Sequence, residues 1–229
     1  MTAIGTDGRE RVIVAGGSIA GLFAAALLRA QGCAVEVFER SGEALASRGA
    51  GIVSHPELFD ALRQVGIAVD DDVGVKVVGR IVLDRDGGPL GQHALPQIML
   101  SWDRLYGMLR AVLPDRHYHA GQAIEGFDQD EGGVTVHLAG GRRERADWLI
   151  GADGIRSTVR RQLLPDLAPA YAGYVAWRGL IEERAISPAA WAVLGERLMF
   201  CLPPGEQMLG YPVSGADEAT GPGRMPAWA

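Results

Sequence analysis

The chain has 229 residues, 48% hydrophobic and 22% charged, a balance usual for globular proteins and enough for one large domain or two small ones. A net charge of −6 and a pI near 5.4 exclude a general nucleic-acid binder, which needs a basic face to replace phosphate counterions. Two well-separated cysteines, Cys33 and Cys201, fit reduced, buried thiols in a cytoplasmic protein rather than a disulfide framework.

The first patterned segment is "VIVAGGSIAGLFAAALLRAQGCAVEVFER", residues 12–40. Val12–Val14 is an apolar, β-branched run that suits a strand buried on both faces. Residues 19–31 read as a helix with Leu22, Phe23, Leu27 and Ala30 on its apolar stripe and Gly32 as its stop. Val35, Val37 and Phe38 form the next strand. Strand, glycine turn, helix and strand within about 30 residues make a βαβ unit. Residues 12–28 carry no charge, but Gly16-Gly17-Ser18 interrupts them. They also fall short of the ~20 apolar residues of a membrane span, so no membrane association is expected.

Gly16, Ser18 and Gly21 occupy the three places of the dinucleotide fingerprint G-x-G-x-x-G, with Gly17 between the first two. Gly16 permits a tight turn off the strand, and Gly21 lets the helix approach the sheet. The middle place lies where backbone meets a pyrophosphate, and the serine there keeps a small side chain with a hydroxyl donor. The helix start adds free N–H groups and a favourable dipole. The dinucleotide site is therefore expected at Gly16, Gly17, Ser18, Ile19, Ala20 and Gly21. Glu39, 18 residues after Gly21, closes the second strand where an acid receives ribose hydroxyls, and Arg40 follows it. A carboxylate there repels a 2′-phosphate, which argues against NADP as the occupant of this site. The bland alternative is a doubly wound fold without a ligand.

Residues 43–53 form a Gly-rich loop carrying Arg48. Ser54 and Glu57 have capping-box spacing ahead of a helix with Pro56 in its first turn and a core stripe of Leu58, Leu62 and Val65. His55, beside the loop, is a weak candidate for a catalytic base; the alternative is a role in starting the helix. Residues 75–83 are β-prone and "DRDGGPLG" is a turn, so 75–100 read as antiparallel strands inserted between helical parts. "SWDRLYGMLRAVLP" is a helix capped by Ser101 and ended by Pro114. Leu105, Met108, Leu109 and Val112 face its core. Arg104 lies off that stripe, free to reach an anion or to stay solvated.

Residues 117–150 read as a three-strand meander with turns at Gly132-Gly133 and Gly140-Gly141. His117 and His119 share one face there, with no third ligand at zinc-like spacing, so no metal is expected. Trp148-Leu149-Ile150 then runs into Gly151-Ala152-Asp153-Gly154, and a helix starts near Ser157. Asp153 either accepts from a cofactor or ordered water, or caps that helix. Beyond Pro165, "YAGYVAWRGLI" and "RLMFCLPPGEQMLGYPV" read as aromatic-rich β segments of a second, antiparallel layer. Tyr174, Trp177 and Tyr211 are candidates to line a ligand cleft, against the commoner fate of strand aromatics as core.

"VIVAGGSIAGL…VFER", "RGAGIV", "WDRLYGML" and "LIGADGIRSTVRRQL" stand in the order found in single-component FAD-dependent aromatic hydroxylases of the para-hydroxybenzoate hydroxylase fold, which the chain resembles over nearly all of residues 10–215. The most specific element is a strand ending in Ala/Cys-Asp-Gly-x-x-Ser-x-x-Arg, matched by Asp153, Gly154, Ser157 and Arg160. "YAGYVAWRGL" and the Gly-Ala-Gly-Ile-Val loop are similar to enzymes of the 2,6-dihydroxypyridine hydroxylase type. The resemblance implies FAD as the cofactor, with Gly16, Ser18 and Gly21 at the pyrophosphate and Glu39 at the ribose. It places Arg48 and Arg104 near the flavin dinucleotide, and Asp153 in the motif linked to both FAD and the nicotinamide donor. It also implies that NADH or NADPH reduces the flavin and that one atom of O2 reaches an electron-rich aromatic ring. A homodimer is an assembly open to it.

The implied fold is α/β, a Rossmann-like FAD-binding domain with an inserted antiparallel β-sheet substrate domain, incomplete. Its parts are 1–74 (FAD-binding), 75–100 (substrate-sheet strands), 101–168 (FAD-binding) and 169–229 (substrate domain, truncated). The truncation is expected because the family's later Gly-Asp-Ala-x-His motif is absent; Gly215-Ala216-Asp217 lacks its histidine. The functional expectation is a monooxygenase of activated aromatic or hydroxypyridine-type rings. The alternatives are another flavoprotein reaction, epoxidation or reduction, and an inactive FAD-binding remnant.

Overall fold

The computed structural model describes residues 8–43, 45, 51–70, 72–214 and 227–228. Arg48 and the Gly215-Ala216-Asp217 stretch lie outside the described residues. The first half of the chain runs β1 (Arg11–Ala15), α1 (Ile19–Ala30), β2 (Ala34–Glu39), β3 (Gly51–Val53), α2 (Pro56–Gln64), β4 (Val75–Leu83), β5 (Pro89–Ser101) and α3 (Trp102–Ala111). The second half runs β6 (Tyr118–Ala120), β7 (Ile124–Asp130), β8 (Gly133–Leu138), β9 (Arg143–Ala146), β10 (Trp148–Gly151), α4 (Thr158–Leu163), β11 (Ile181–Glu182), α5 (Pro188–Leu194), β12 (Arg197–Cys201), β13 (Met208–Gly210), β14 (Pro212–Val213) and β15 (Ala227–Trp228). The chain divides into two units, Met1–Ala46 with Gln64–Ile67 and Tyr106–Tyr174, and Ser47–Arg63 with Ala68–Leu105 and Val175–Ala229.

The first unit carries a parallel sheet in the order β10-β1-β2-β6. Val12, Ile13 and Val14 are buried, as an apolar run in the middle of a parallel sheet must be. Helix α1 buries Gly21, Leu22, Ala25 and Ala26. This differs from the stripe read in the sequence: Phe23 and Leu27 are half-buried and Ala30 is exposed. Gly21, Ala25 and Ala26 give the helix a flat face, so its packing surface follows the small residues rather than the large ones. Cys33 is a free, half-buried thiol.

The antiparallel meander is β7-β8-β9, residues 124–146. The strand formed by 118–120 leaves it and pairs in parallel with β2, with Val37 opposite Tyr118. Ile13, Phe38, Phe127, Val136, Leu138 and Val159 share one buried cluster. The Gln162 side chain on α4 bonds both backbone groups of Phe127 on β7, an edge strand, and so occupies an open peptide of that edge.

Glu144 on β9 holds Arg11 (2.6 Å) and Arg142 (2.6 Å). Burial opposes the charge, but the bonds from Arg142 and Arg11 outweigh it and hold this carboxyl below its usual range. A depressed carboxyl contributes stability above the unfolded-state value, and that stability is lost as pH falls through the folded value. Thermal melts from pH 7 to pH 3 should show the parent progressively losing its advantage over Glu144→Gln as pH falls below about 4.5. A constant gap between the two would refute this role.

The second unit holds a five-stranded sheet in the order β13-β12-β4-β5-β3. Its pairings are antiparallel except for β12 beside β4, which is parallel, so the layer is mixed rather than purely antiparallel. A smaller antiparallel sheet joins β11, β15 and β14. Residues 51–63 cluster here because β3 pairs with β5. Cys201 is free and half-buried, with Sγ 3.5 Å from the Asp84 carbonyl.

Two sequence expectations fail among these and the adjoining residues, and one element was not foreseen. The capping box at Ser54 does not form: Ser54 Oγ accepts the Ile98 N–H at 3.1 Å across the sheet, and His55 Nδ1 faces the Leu58 N–H at 3.2 Å instead. The "YAGYVAW" segment is not a strand, since regular structure resumes only at Ile181. No described strand pairs with residues 171–180, and their aromatic side chains stay exposed. Helix α5 was not expected, although Ser187 Oγ accepts the Ala190 N–H and Pro188 opens the helix, both ordinary start signals.

Candidate cofactor site

The candidate site is where β1 and β10 lie side by side, because both end in a glycine turn that starts a helix. Their register sets Ala15 opposite Gly151. The turn after β1 is held by Gly16 N–H on the Phe38 carbonyl (2.8 Å), and the turn after β10 by Ala152 N–H on the Ala15 carbonyl (2.8 Å). Gly16 has φ +102°, and a Cβ there would stand 2.3 Å from the Ala152 oxygen. The two junctions thus touch through backbone, and only glycine fits at Gly16.

A Cβ on Gly21 would stand 1.8 Å from the Gly16 oxygen, so the first helical turn packs directly on the glycine turn. Ser18 is the N-cap of α1, and its side chain makes no capping bond. The first backbone bond of the helix runs from Leu22 N–H to the Ser18 carbonyl. The earlier N–H groups therefore have no intrahelical acceptor, which is the usual setting for an anion.

Glu39 closes β2 and is 7% exposed. Its Oε2 accepts the Gly17 N–H and its Oε1 the Ser41 N–H, each at 2.8 Å. Each oxygen keeps acceptor capacity beyond that bond. Arg40 beside it is exposed. At the second junction Asp153 Oδ2 accepts the N–H groups of Thr158 (2.7 Å) and Val159 (3.3 Å), and Ser157 Oγ that of Arg160 (2.9 Å). The Asp153 Oδ1 is buried and has no partner. Capping thus uses one oxygen of Asp153 and leaves the other for a ligand.

The other sequence candidates make contacts of their own. In the second unit Arg104 donates to the Asp72 carbonyl at 3.0 Å, with its Nε buried and unpartnered. His55 sits at the start of α2, with Nδ1 3.0 Å from Glu57. Tyr211 donates to the Gly51 carbonyl at 3.3 Å. Trp177 is 94% exposed, and in the first unit Tyr174 is 74% exposed.

Two arrangements escaped the sequence reading. His117 and His119 both bond Glu36, at 2.9 and 2.6 Å, across the β2–β6 pair. Among the described residues no His, Cys, Asp and Glu group forms a metal site. Tyr118, between the two histidines, reaches the glycine turn and donates to the Gly17 carbonyl at 3.2 Å. The available signal was Gly17 itself, a glycine that the fingerprint spacing does not require.

A model of the FAD binding domain matches residues 9–72 and 89–178, and one described as FAD binding domain-like matches residues 171–228. The chain belongs to this FAD-binding family. FAD is the family's cofactor, and the glycine cradle with the unpartnered Asp153 oxygen fits it. The chain is 34% identical over 214 residues to 2,6-dihydroxypyridine 3-monooxygenase of Paenarthrobacter nicotinovorans, covering 93% of this chain and 53% of that one. The solved structure of 2,6-dihydroxypyridine-3-hydroxylase from Arthrobacter nicotinovorans superposes with a TM-score of 0.86 at 33% identity, over 96% of this chain and 55% of that one. HpxO of Klebsiella pneumoniae, complexed with FAD and uric acid, gives a TM-score of 0.79 at 25% identity, over 100% and 57%. The chain spans about half the length of the curated relatives it matches. No helix among its described residues is long and apolar enough to cross a membrane.

Proposed function

We propose that this chain supplies the FAD-binding part of a monooxygenase that uses NADH or NADPH and O2 to hydroxylate an activated aromatic or hydroxypyridine-type ring. The observation that carries this is the pair of touching strand–helix junctions, with a glycine cradle on one side and the half-used Asp153 carboxylate on the other. The relatives at 34% and 33% identity, both named for action on 2,6-dihydroxypyridine, support the substrate class.

In this reading residues 1–74 and 101–168 hold the cofactor, and 75–100 with 169–229 form the substrate layer. Gly16, Gly17, Ser18, Ile19, Ala20 and Gly21 receive the pyrophosphate on backbone N–H groups. Glu39, followed by Arg40, accepts from the ribose. Asp153 offers Oδ1 to the cofactor, while Arg48 and Arg104 supply positive charge toward it. Tyr174, Trp177 and Tyr211 bound the ring substrate. Bound FAD supplies the redox chemistry, drawing electrons from the nicotinamide and activating O2. The chain's own work is binding, orientation and exclusion of water. The protein acts in the cytoplasm on a small molecule.

Titrating the chain with FAD while following flavin fluorescence tests this, with circular dichroism to verify folding. Saturable one-to-one binding is expected, and Asp153→Ala should weaken it about tenfold. A folded chain that leaves flavin fluorescence unchanged would overturn the reading.

A further inference from the structure

Gly17 is the residue the fingerprint does not explain. It has no positive φ, and the dinucleotide spacing runs through Gly16, Ser18 and Gly21. Tyr118 accounts for it: a Cβ on Gly17 would stand 2.4 Å from the Tyr118 hydroxyl oxygen. That hydroxyl lies 3.2 Å from the Gly17 carbonyl and 3.3 Å from the Tyr106 hydroxyl. A carbonyl can only accept, so Tyr118 donates to Gly17, and Tyr106 in turn donates to Tyr118. The Arg110 guanidinium carbon stands 4.4 Å over the Tyr118 ring, and Arg110 is itself fixed by the Leu113 carbonyl (2.7 Å) and Asp115 (2.5 Å).

The consequence is directional. The peptide between Gly17 and Ser18 is planar and trans, so its carbonyl and its N–H point opposite ways. Tyr118 fixes the carbonyl, and this fixes the Ser18 N–H on the other side. Glu39 fixes the preceding peptide through the Gly17 N–H. Both peptides flanking Gly17 are therefore held before any ligand arrives, as preorganised binding requires.

We propose that Tyr118 is a positioning residue for the cofactor: its hydroxyl orients the Gly17–Ser18 peptide so that the Ser18 N–H is presented to the diphosphate of FAD. The assignment rests on the FAD reading above. Burial pushes the Tyr118 phenol above its ordinary range, so the donor proton stays in place at every pH suited to assay.

The test is Tyr118→Phe in the whole chain, which keeps the ring and its stacking with Arg110 and removes only the hydroxyl, the donor to Gly17 and acceptor from Tyr106. FAD affinity from fluorescence and ADP affinity from calorimetry should both fall about 5- to 10-fold. The circular dichroism spectrum should be unchanged. ADP isolates the diphosphate end, so a merely structural loss at the flavin end would spare it. Should Tyr118→Phe misfold, Tyr106→Phe leaves Tyr118 intact and should weaken ADP binding about 2- to 3-fold through the loss of its donor. Parent-like ADP and FAD affinities in a folded Tyr118→Phe would overturn the role of Tyr118 alone. Failure of the folded parent to bind either ligand would overturn the FAD reading, and this proposal with it.

Discussion

Gly21→Ala should abolish FAD binding and destabilise the chain at or above the upper end of the about 1–3 kcal/mol usual for overpacking. The added Cβ would meet the Gly16 carbonyl oxygen at 1.8 Å. Backbone cannot rotate aside as a side chain does, so either α1 lifts from the sheet or the glycine turn opens. Both outcomes break the cradle. The matched control is Gly32→Ala. Gly32 has φ +94° but nothing within 4 Å of its missing Cβ, so the change costs only backbone strain, about 1–3 kcal/mol, and leaves the site intact. Urea midpoints and FAD titrations on both variants separate the cases. Equal FAD affinity in Gly21→Ala and the parent would show that the turn is not where the cofactor binds.

The second large effect is expected at Glu39. Glu39→Ala strands the N–H groups of Gly17 and Ser41, each at a cost of about 1–3 kcal/mol, and removes the acceptor for the ribose. Glu39→Gln is the sharper probe. Its amide can accept from one of the two N–H groups but must turn a donor toward the other. We expect Glu39→Gln to lose at least about tenfold in FAD affinity and Glu39→Ala to lose more, with thermal melts showing both destabilised. If FAD affinity survives while stability falls, Glu39 serves the turn and not the ribose.

Much of the geometry of the two glycine turns was legible because part of what constrains them is local. The positive φ of Gly16 and the contact of Gly21 with the Gly16 carbonyl are constraints that operate within six residues, and such constraints leave a spacing in the sequence. Asp153 and Ser157 cap the next helix within the same short range. What escaped is long-range. Ser54 had the spacing of a cap, but its hydroxyl is taken by Ile98, 44 residues away. Tyr118 meets Gly17 across 101 residues, and Glu36 meets two histidines more than 80 residues on. The stripe of α1 was misassigned for a related reason: periodicity weighs large apolar side chains, whereas the sheet selects the small ones that let the helix come close. Residues 171–180 carry the composition of strands, but composition supplies no neighbour to pair with.

The strand order β10-β1-β2-β6 bears on how the protein is made. Strand β1 gains its first neighbour, β2, almost as soon as it leaves the ribosome, since only α1 intervenes. Its other neighbour is encoded about 110 residues later, beyond both strands of a hairpin that belongs to the other unit. At ordinary synthesis rates of about 5–20 residues per second, one edge of β1 waits roughly 6–20 seconds for β10. During that interval Gly16 lacks the Ala152 backbone that later presses against it. The cradle therefore closes only once β10 has been made, and until then the nascent chain presents an apolar strand edge, the period in which a chaperone would have the most to shield.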